Sequence, residues 1–287
     1  MINYVAVANT TAKFDSLITE NILLKKNFQQ QFIVGSNYSF TLNSQLIKKT
    51  GNQIYFKGTT EIAGNVLSEF NALTGGKINP ENPATLFGAP YSQYARFDID
   101  ARYFYTWNPS RQIATRLITG IGIPYDNSNS LPYIKQFFIG GSNSIRAFRA
   151  RTLGPGSNPP PSADSVSFFE QAGDMKLEMN AEYRFGIISI VKGAVFVDAG
   201  NIWLWHNDPL RPNGKFTNNF YKEMAVGTGA GLRFDASFIV VRFDFSIPIR
   251  KPWLPEKERW VINQIDFANN TWLRNNLVLN IAIGYPF

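Results

Sequence analysis

The chain contains no cysteine and a single histidine, His206, in 287 residues. The first absence excludes a disulfide framework and a thiolate metal site. The second leaves no material for a histidine-based catalytic triad or a multi-histidine metal centre. Charged residues are scarce, at 17%. No apolar run approaches the ~18 residues of a transmembrane helix. The N-terminal MINYVAVANTTAKF lacks the basic stretch and apolar core of a signal peptide; for an exported protein, the expectation is that more chain lies upstream. The formal charge of +7 suits anionic partners. With no Lys/Arg block and no nucleic-acid motif, no nucleic-acid partner is expected.

What is abundant is aromatic side chain, 15% of residues, set in long alternating runs. Phe97, Ile99, Ala101 and Tyr103 fall on one face of a strand, with Arg96, Asp98, Asp100 and Arg102 on the other. Met175–Phe185 repeats the pattern, Lys176, Glu178, Asn180, Glu182 and Arg184 sharing the charged face. A soluble sheet tolerates this; a water-filled barrel lumen requires it. Further strands are predicted at Gln29–Ile47, Asn52–Val66, Tyr94–Trp107, Arg111–Ile123, Ile188–Trp203, Met224–Phe234, Phe238–Pro248 and Asn276–Phe287, with a short amphipathic helix over Phe14–Lys26. Glu69–Ser92, Trp205–Lys222 and Pro252–Asn270 are long connections, the first with a helical turn near Ser68–Leu73. In the last strand Leu277, Leu279, Ile281, Ile283, Tyr285 and Phe287 form an unbroken apolar face. An ordinary edge strand so apolar would aggregate.

Between two of these strands lies FFIGGSNSIRAFRARTLGPG, residues 137–156. Gly140-Gly141 marks a tight excursion of the backbone, and Gly154-Pro155-Gly156 closes it. Ile145, Phe148 and Leu153 alternate with Arg146, Arg149 and Arg151. A loop folded back into a polar interior would pack the first set and pair the guanidiniums with carboxylates; a basic exposed loop is the alternative. The segment resembles the inward-folded loop of the BamA/TamA outer-membrane assembly superfamily, whose signature is Gly-Gly followed by Val/Ile-Arg-Gly-Phe/Tyr. Ile145-Arg146-Ala147-Phe148 matches it with alanine in place of glycine. That departure bears on the backbone turn after the arginine, not on the arginine's role.

Phe196-Val197-Asp198-Ala199-Gly200 is similar to the family's Phe-x-Asp-x-Gly strand motif, which implies Asp198 as acceptor for the loop arginine, with Glu182 on the preceding strand as a second. The alternative is two unrelated inward charges. Gly227–Gly231 (GTGAG) has a strand running through it, so it is no dinucleotide fingerprint; a glycine face making room for the inserted loop fits better. Asp98/Asp100 and Glu178/Glu182 would serve as acid pairs only in a common cleft, and solvated lumen charges are expected instead.

The fold expected is therefore all-β, a transmembrane antiparallel barrel with an inward-folded loop. About eleven strands, of the sixteen the resemblance implies, belong to one domain spanning 1–287. Earlier strands and periplasmic repeat domains would lie upstream. The resemblance is closest to the TamA-like and lipoprotein-type branch, and Leu279, Ile281, Ile283, Tyr285 and Phe287 resemble the C-terminal sorting signal of outer-membrane barrels. The arginine loop and the connections at 205–222 and 252–270 are then extracellular, while a count of strands puts Glu69–Ser92 on the periplasmic side. The implied function is insertion or translocation of other outer-membrane proteins in a Gram-negative outer membrane, through a weakly paired seam between first and last strands. Implied partners are outer-membrane lipid and lipopolysaccharide, unfolded outer-membrane proteins, and periplasmic or inner-membrane assembly partners. No catalytic residue, cofactor or metal is expected. Alternatives are a secretion pore, a barrel fused to a patatin-type lipid hydrolase, and a soluble carbohydrate-binding β-sandwich.

Overall fold

Period-2 alternation becomes one antiparallel sheet in the computed structural model, which describes residues 1–5, 10–20, 30–47, 50–160, 171–236 and 238–287. Ten strands follow one another in chain order: β1 (Ile2–Val5), β2 (Gln31–Asn43), β3 (Gly51–Ala63), β6 (Tyr94–Asn108), β7 (Arg111–Pro124), β8 (Met175–Ile188), β9 (Val191–Trp203), β10 (Ala225–Asp235), β11 (Val240–Arg250) and β12 (Val278–Ile283). Two-residue strands β4 (Thr85–Leu86) and β5 (Ala89–Pro90) form a separate hairpin. Among the described residues no helix is long and apolar enough to cross a membrane.

The faces sort as the alternation demands. Phe97, Ile99 and Tyr103 of β6, Val195 and Val197 of β9, and Ile281 and Ile283 of β12 are exposed on the outside. Arg184, Asp198, Arg233, Arg242 and Asp244 are buried on the concave side. One consequence differs from the expected solvated lumen. Glu178, Asp198, Arg233, Arg242 and Asp244 are 0% exposed, because the β7–β8 loop fills that part of the interior. Asp98 pairs with Arg96, and Asp100 with Arg102 and Arg116, so neither aspartate belongs to an acid pair.

Short turns join the strands at one end, such as 189–190, three residues beyond the 186–187 gap left between the expected strands. Long connections occupy the other end. The 64–93 connection is one of them, since Ala63 pairs with Tyr94 and Tyr94 with Pro124, where the arginine loop begins. Its expected place on the opposite side is thus corrected: an even number of strands separates it from the arginine loop. It holds the helix α2 (Asn65–Leu73), more than the single turn expected. Near the N-terminus α1 (Ala12–Glu20) replaces the first part of the expected Phe14–Lys26 helix, the remainder of which, like Lys48 and Lys49 between β2 and β3, lies outside the described residues.

The C-terminal strand is shorter than expected. Residues 270–276 form α3 (Asn270–Asn276), and β12 ends at Ile283. Gly284 then takes φ +84, a left-handed conformation open to glycine. The chain reverses into the interior, where Phe287 packs with Phe104 and Ala114. Leu279, Ile281 and Ile283 therefore lie on the outer face, and Tyr285 and Phe287 do not. The unbroken six-residue face is corrected to its first four members.

Candidate functional site: the loop anchored inside the sheet

Gly140 (φ +91) and Gly141 (φ +93) turn the chain inward in a conformation that a β-carbon would strain. The loop then closes on itself, with Gly141 N–H donating to the Phe148 carbonyl (2.8 Å) and Arg151 N–H to that of Ile139 (3.0 Å). Ile145, Ala147, Phe148 and Leu153 share a buried cluster with Ile139, Ile202 and Ala225, and Trp253 packs against it. Gly154 has φ +77, and a β-carbon there would come within 2.5 Å of Asn201 Oδ1. The buried Asn201 side chain in turn donates to the Gly156 carbonyl at 2.7 Å.

Arg146, 0% exposed, is the hub. Its Nε and Nη2 donate to the two oxygens of Asp198, each at 2.9 Å. Its backbone N–H adds a third bond to Asp198 at 3.1 Å. Nη1 donates to Glu182, and the guanidinium lies 3.4 Å from the centre of the Phe196 ring. Glu182 also accepts from Arg184 Nε at 2.8 Å and faces Arg233 Nη2 at 3.2 Å. Asp244 joins Arg233 (2.6 Å) and Arg242 (3.2 Å), with Arg146 at 3.8 Å. Such a network holds together because each desolvated charge meets an opposite one; removing a single partner from a buried pair costs about 3–5 kcal/mol.

Strand register assembles the receiving surface. Asn180, Asp198 and Gly227 lie side by side on β8, β9 and β10, as do Glu182, Phe196 and Gly229 one step along. The Ala147 methyl occupies the space over Gly227. The glycine face thus takes the loop at one position, while at Gly229 the Phe196 ring fills the room and at Gly231 Arg233 and Asp244 do. Ala147 is absent from the residues of positive φ, so the turn after the arginine suits an L-residue.

Several anchors went unassigned in the sequence. Ser144 Oγ donates to Glu178 at 2.5 Å, and Asn180 Nδ2 to the Ser144 carbonyl at 3.0 Å. Asn280 Nδ2 (2.9 Å) and Ser246 Oγ (3.1 Å) both donate to the Arg146 carbonyl. Arg242 reaches Ser142 and Asn143. All five strand residues, Glu178, Asn180, Arg242, Ser246 and Asn280, stand on faces the alternation had marked as inward, but nothing local says which of them meets the loop. Of the three loop arginines only Arg146 finds carboxylates among the described residues. Arg149 is exposed, and Arg151 bonds the Tyr133 hydroxyl at 2.6 Å over the Phe138 ring. The expectation that the guanidiniums as a set pair with acids is corrected among the described residues, because Arg149 faces solvent and Arg151 is turned to the Tyr133 and Phe138 rings.

Residues 21–267 match the family model described as the Omp85 superfamily domain. The chain belongs to the Omp85 superfamily. It is 21% identical over 222 residues to the outer membrane protein assembly factor BamA of Neisseria meningitidis serogroup B, covering 71% of this chain and 27% of that one. Among solved structures, BamA from Haemophilus ducreyi lacking POTRA domains 1-3 is 18% identical, with 77% of this chain and 52% of that one covered and a TM-score of 0.44. CdiB from Escherichia coli is 16% identical, with coverages of 79% and 35% and a TM-score of 0.48. The chain therefore spans about a quarter of the curated relative and about half or less of these solved ones. The Omp85 chain is an all-β barrel protein similar to an outer membrane protein assembly factor.

Proposed function

We propose that this chain is the membrane-spanning barrel of a Gram-negative outer-membrane factor that inserts or exports other outer-membrane proteins. The observation that carries the reading is the anchorage of the β7–β8 loop: Arg146 ties it by side chain and main chain to β8, β9, β11 and β12 at once. The apolar outer faces then contact lipid, the loop end faces outward and the turn end faces the periplasm. β12 is the last strand of the sheet. Its far edge presents peptide groups that an incoming strand of an unfolded client can pair with. Because Asn280 of β12 holds the Arg146 carbonyl, the position of that edge is coupled to the loop. The chemistry required is pairing and packing, not bond making.

The test is reconstitution of the full-length protein in phosphatidylethanolamine–phosphatidylglycerol vesicles with a urea-unfolded barrel client. Folding is followed by heat-modifiable gel mobility. Wild type is expected to accelerate client folding several-fold over empty vesicles, and Arg146→Ala to lose most of that gain while remaining folded. Client folding at the rate of empty vesicles overturns the insertion reading. Passage of a client into the vesicle interior without its insertion assigns a secretion pore instead.

A further inference from the structure

The 64–93 connection carries an apolar surface that nothing in the protein covers among the described residues. On α2, Val66, Phe70 and Leu73 are spaced to lie on one helical face and are 77%, 66% and 86% exposed. Phe87, at the tip of the β4–β5 hairpin, is 92% exposed. Isolated exposed apolar residues are ordinary, but a grouped set marks a contact surface.

Two features say what the contact is. The first is continuity. Ile62, exposed on the outer face of β3, stands four residues before Val66, so the helical stripe begins where the apolar outer face of the strand stops. Above the neighbouring strand, Phe87 lies 6.2 Å from Phe32 of β2, and Phe32 lies 4.7 Å from Tyr4 of β1. Two separate segments of one connection thus prolong the apolar bands of adjacent strands. The second is polarity sorting. Asn65 Oδ1 accepts from Tyr125 (2.7 Å) and Gln93 (3.4 Å), residues at the mouth of the interior. A β-carbon on Gly64 would come within 2.5 Å of the Ser92 carbonyl, so the helix starts hard against the strand ends. Asn65 is turned inward and Val66, Phe70 and Leu73 outward, as in the barrel, with Glu69 exposed at the edge of that stripe. A single charge, Glu69, lies on the helix.

We propose that α2 and the β4–β5 tip form an apron that rests in the headgroup–acyl boundary of the bilayer around the barrel. Amphipathic helices bury an apolar face at that depth, and aromatic side chains favour it. The inference rests on the membrane reading above and adds a defined lipid-contact site beyond the strands. Val66, Phe70, Leu73 and Phe87 make the contact, while Asn65 and Gly64 hold the helix to the mouth.

The absence of cysteine allows a clean test. Nitroxide labels are placed singly on Phe70→Cys, Leu73→Cys and Phe87→Cys in the full chain, in phosphatidylethanolamine–phosphatidylglycerol vesicles. Leu279→Cys on the outer face of β12 serves as the lipid control and Lys77→Cys as the water control. Accessibility is read with oxygen and with a water-soluble nickel chelate. The expected result is oxygen access with nickel access several-fold below that of Lys77→Cys, at a depth shallower than Leu279→Cys. Nickel access equal to Lys77→Cys overturns the apron. Exclusion of both relaxants also overturns it, since protein rather than lipid would then cover the face. If Leu279→Cys itself reports water, the membrane reading fails and the apron with it; if only the three apron sites do, the apron alone fails.

Discussion

The Ala147 methyl sits directly over Gly227, where a β-carbon would approach it to 2.3 Å. The loop and the β10 wall are therefore fitted to each other at one pair of positions. Gly227→Ala is expected to overpack this contact, at a cost of about 1–3 kcal/mol. The Gly227→Ala/Ala147→Gly double variant should recover most of that loss, because the methyl moves from loop to wall. Urea titration of the vesicle-inserted protein by gel mobility checks it. A double variant no better than the single one would show that the contact is not what sets the loop.

Arg146 and Asp198 exchange two guanidinium bonds and one backbone bond with no solvent access. The desolvated limit thus applies, and Arg146→Ala or Asp198→Ala is expected to cost about 3–5 kcal/mol. Lysine cannot supply the planar fork, so Arg146→Lys should behave much like alanine. In a double-mutant cycle the losses are expected to be strongly sub-additive. Strict additivity would mean that the two residues act separately.

The outer and inner faces should differ sharply in their tolerance of charge. Phe243 pairs with Ile281 on the outer face. Arginine there should cost about 2–4 kcal/mol near the bilayer midplane. Ser39 of β2 lies on the inward face and is exposed to the open part of the interior, so Ser39→Arg should change stability little. Asn280 is a poor inward comparator because it holds the Arg146 carbonyl. Equal penalties for Phe243→Arg and Ser39→Arg in vesicles would contradict the lipid-facing assignment.

The inward tail gives Phe287 a packing role. It is 9% exposed against Phe104 and Ala114, its carbonyl accepts from Arg184 Nη2 at 3.2 Å, and the Arg184 guanidinium lies 4.5 Å from the Tyr285 ring centre. Phe287→Ala is expected to lower stability by about 3 kcal/mol. For a residue on a lipid-facing strand end, only insertion in cells would suffer. Measuring cellular insertion and urea stability of the same variant separates the two, and unchanged stability would argue against the packed tail.

Alternation along each strand is a local property, so the residues by themselves determined the strands and their inward and outward faces, while the barrel and the pairing of the Gly140–Phe148 loop with Asp198 and Glu182 were implied by the family resemblance of the two motifs. What they could not contain was register. Ser246 and Asn280 stand 100 and 134 residues from Arg146, and only the pairing of β11 and β12 with their neighbours brings both to its carbonyl. The dryness of the interior is likewise a tertiary outcome, since the same charges would be solvated if the loop lay outside. Gly284 decides the fate of Tyr285 and Phe287, for period-2 counting continues through a glycine that the folded backbone uses to reverse. Parity is written residue by residue. Contact across strands is set by the register of the whole sheet around the loop.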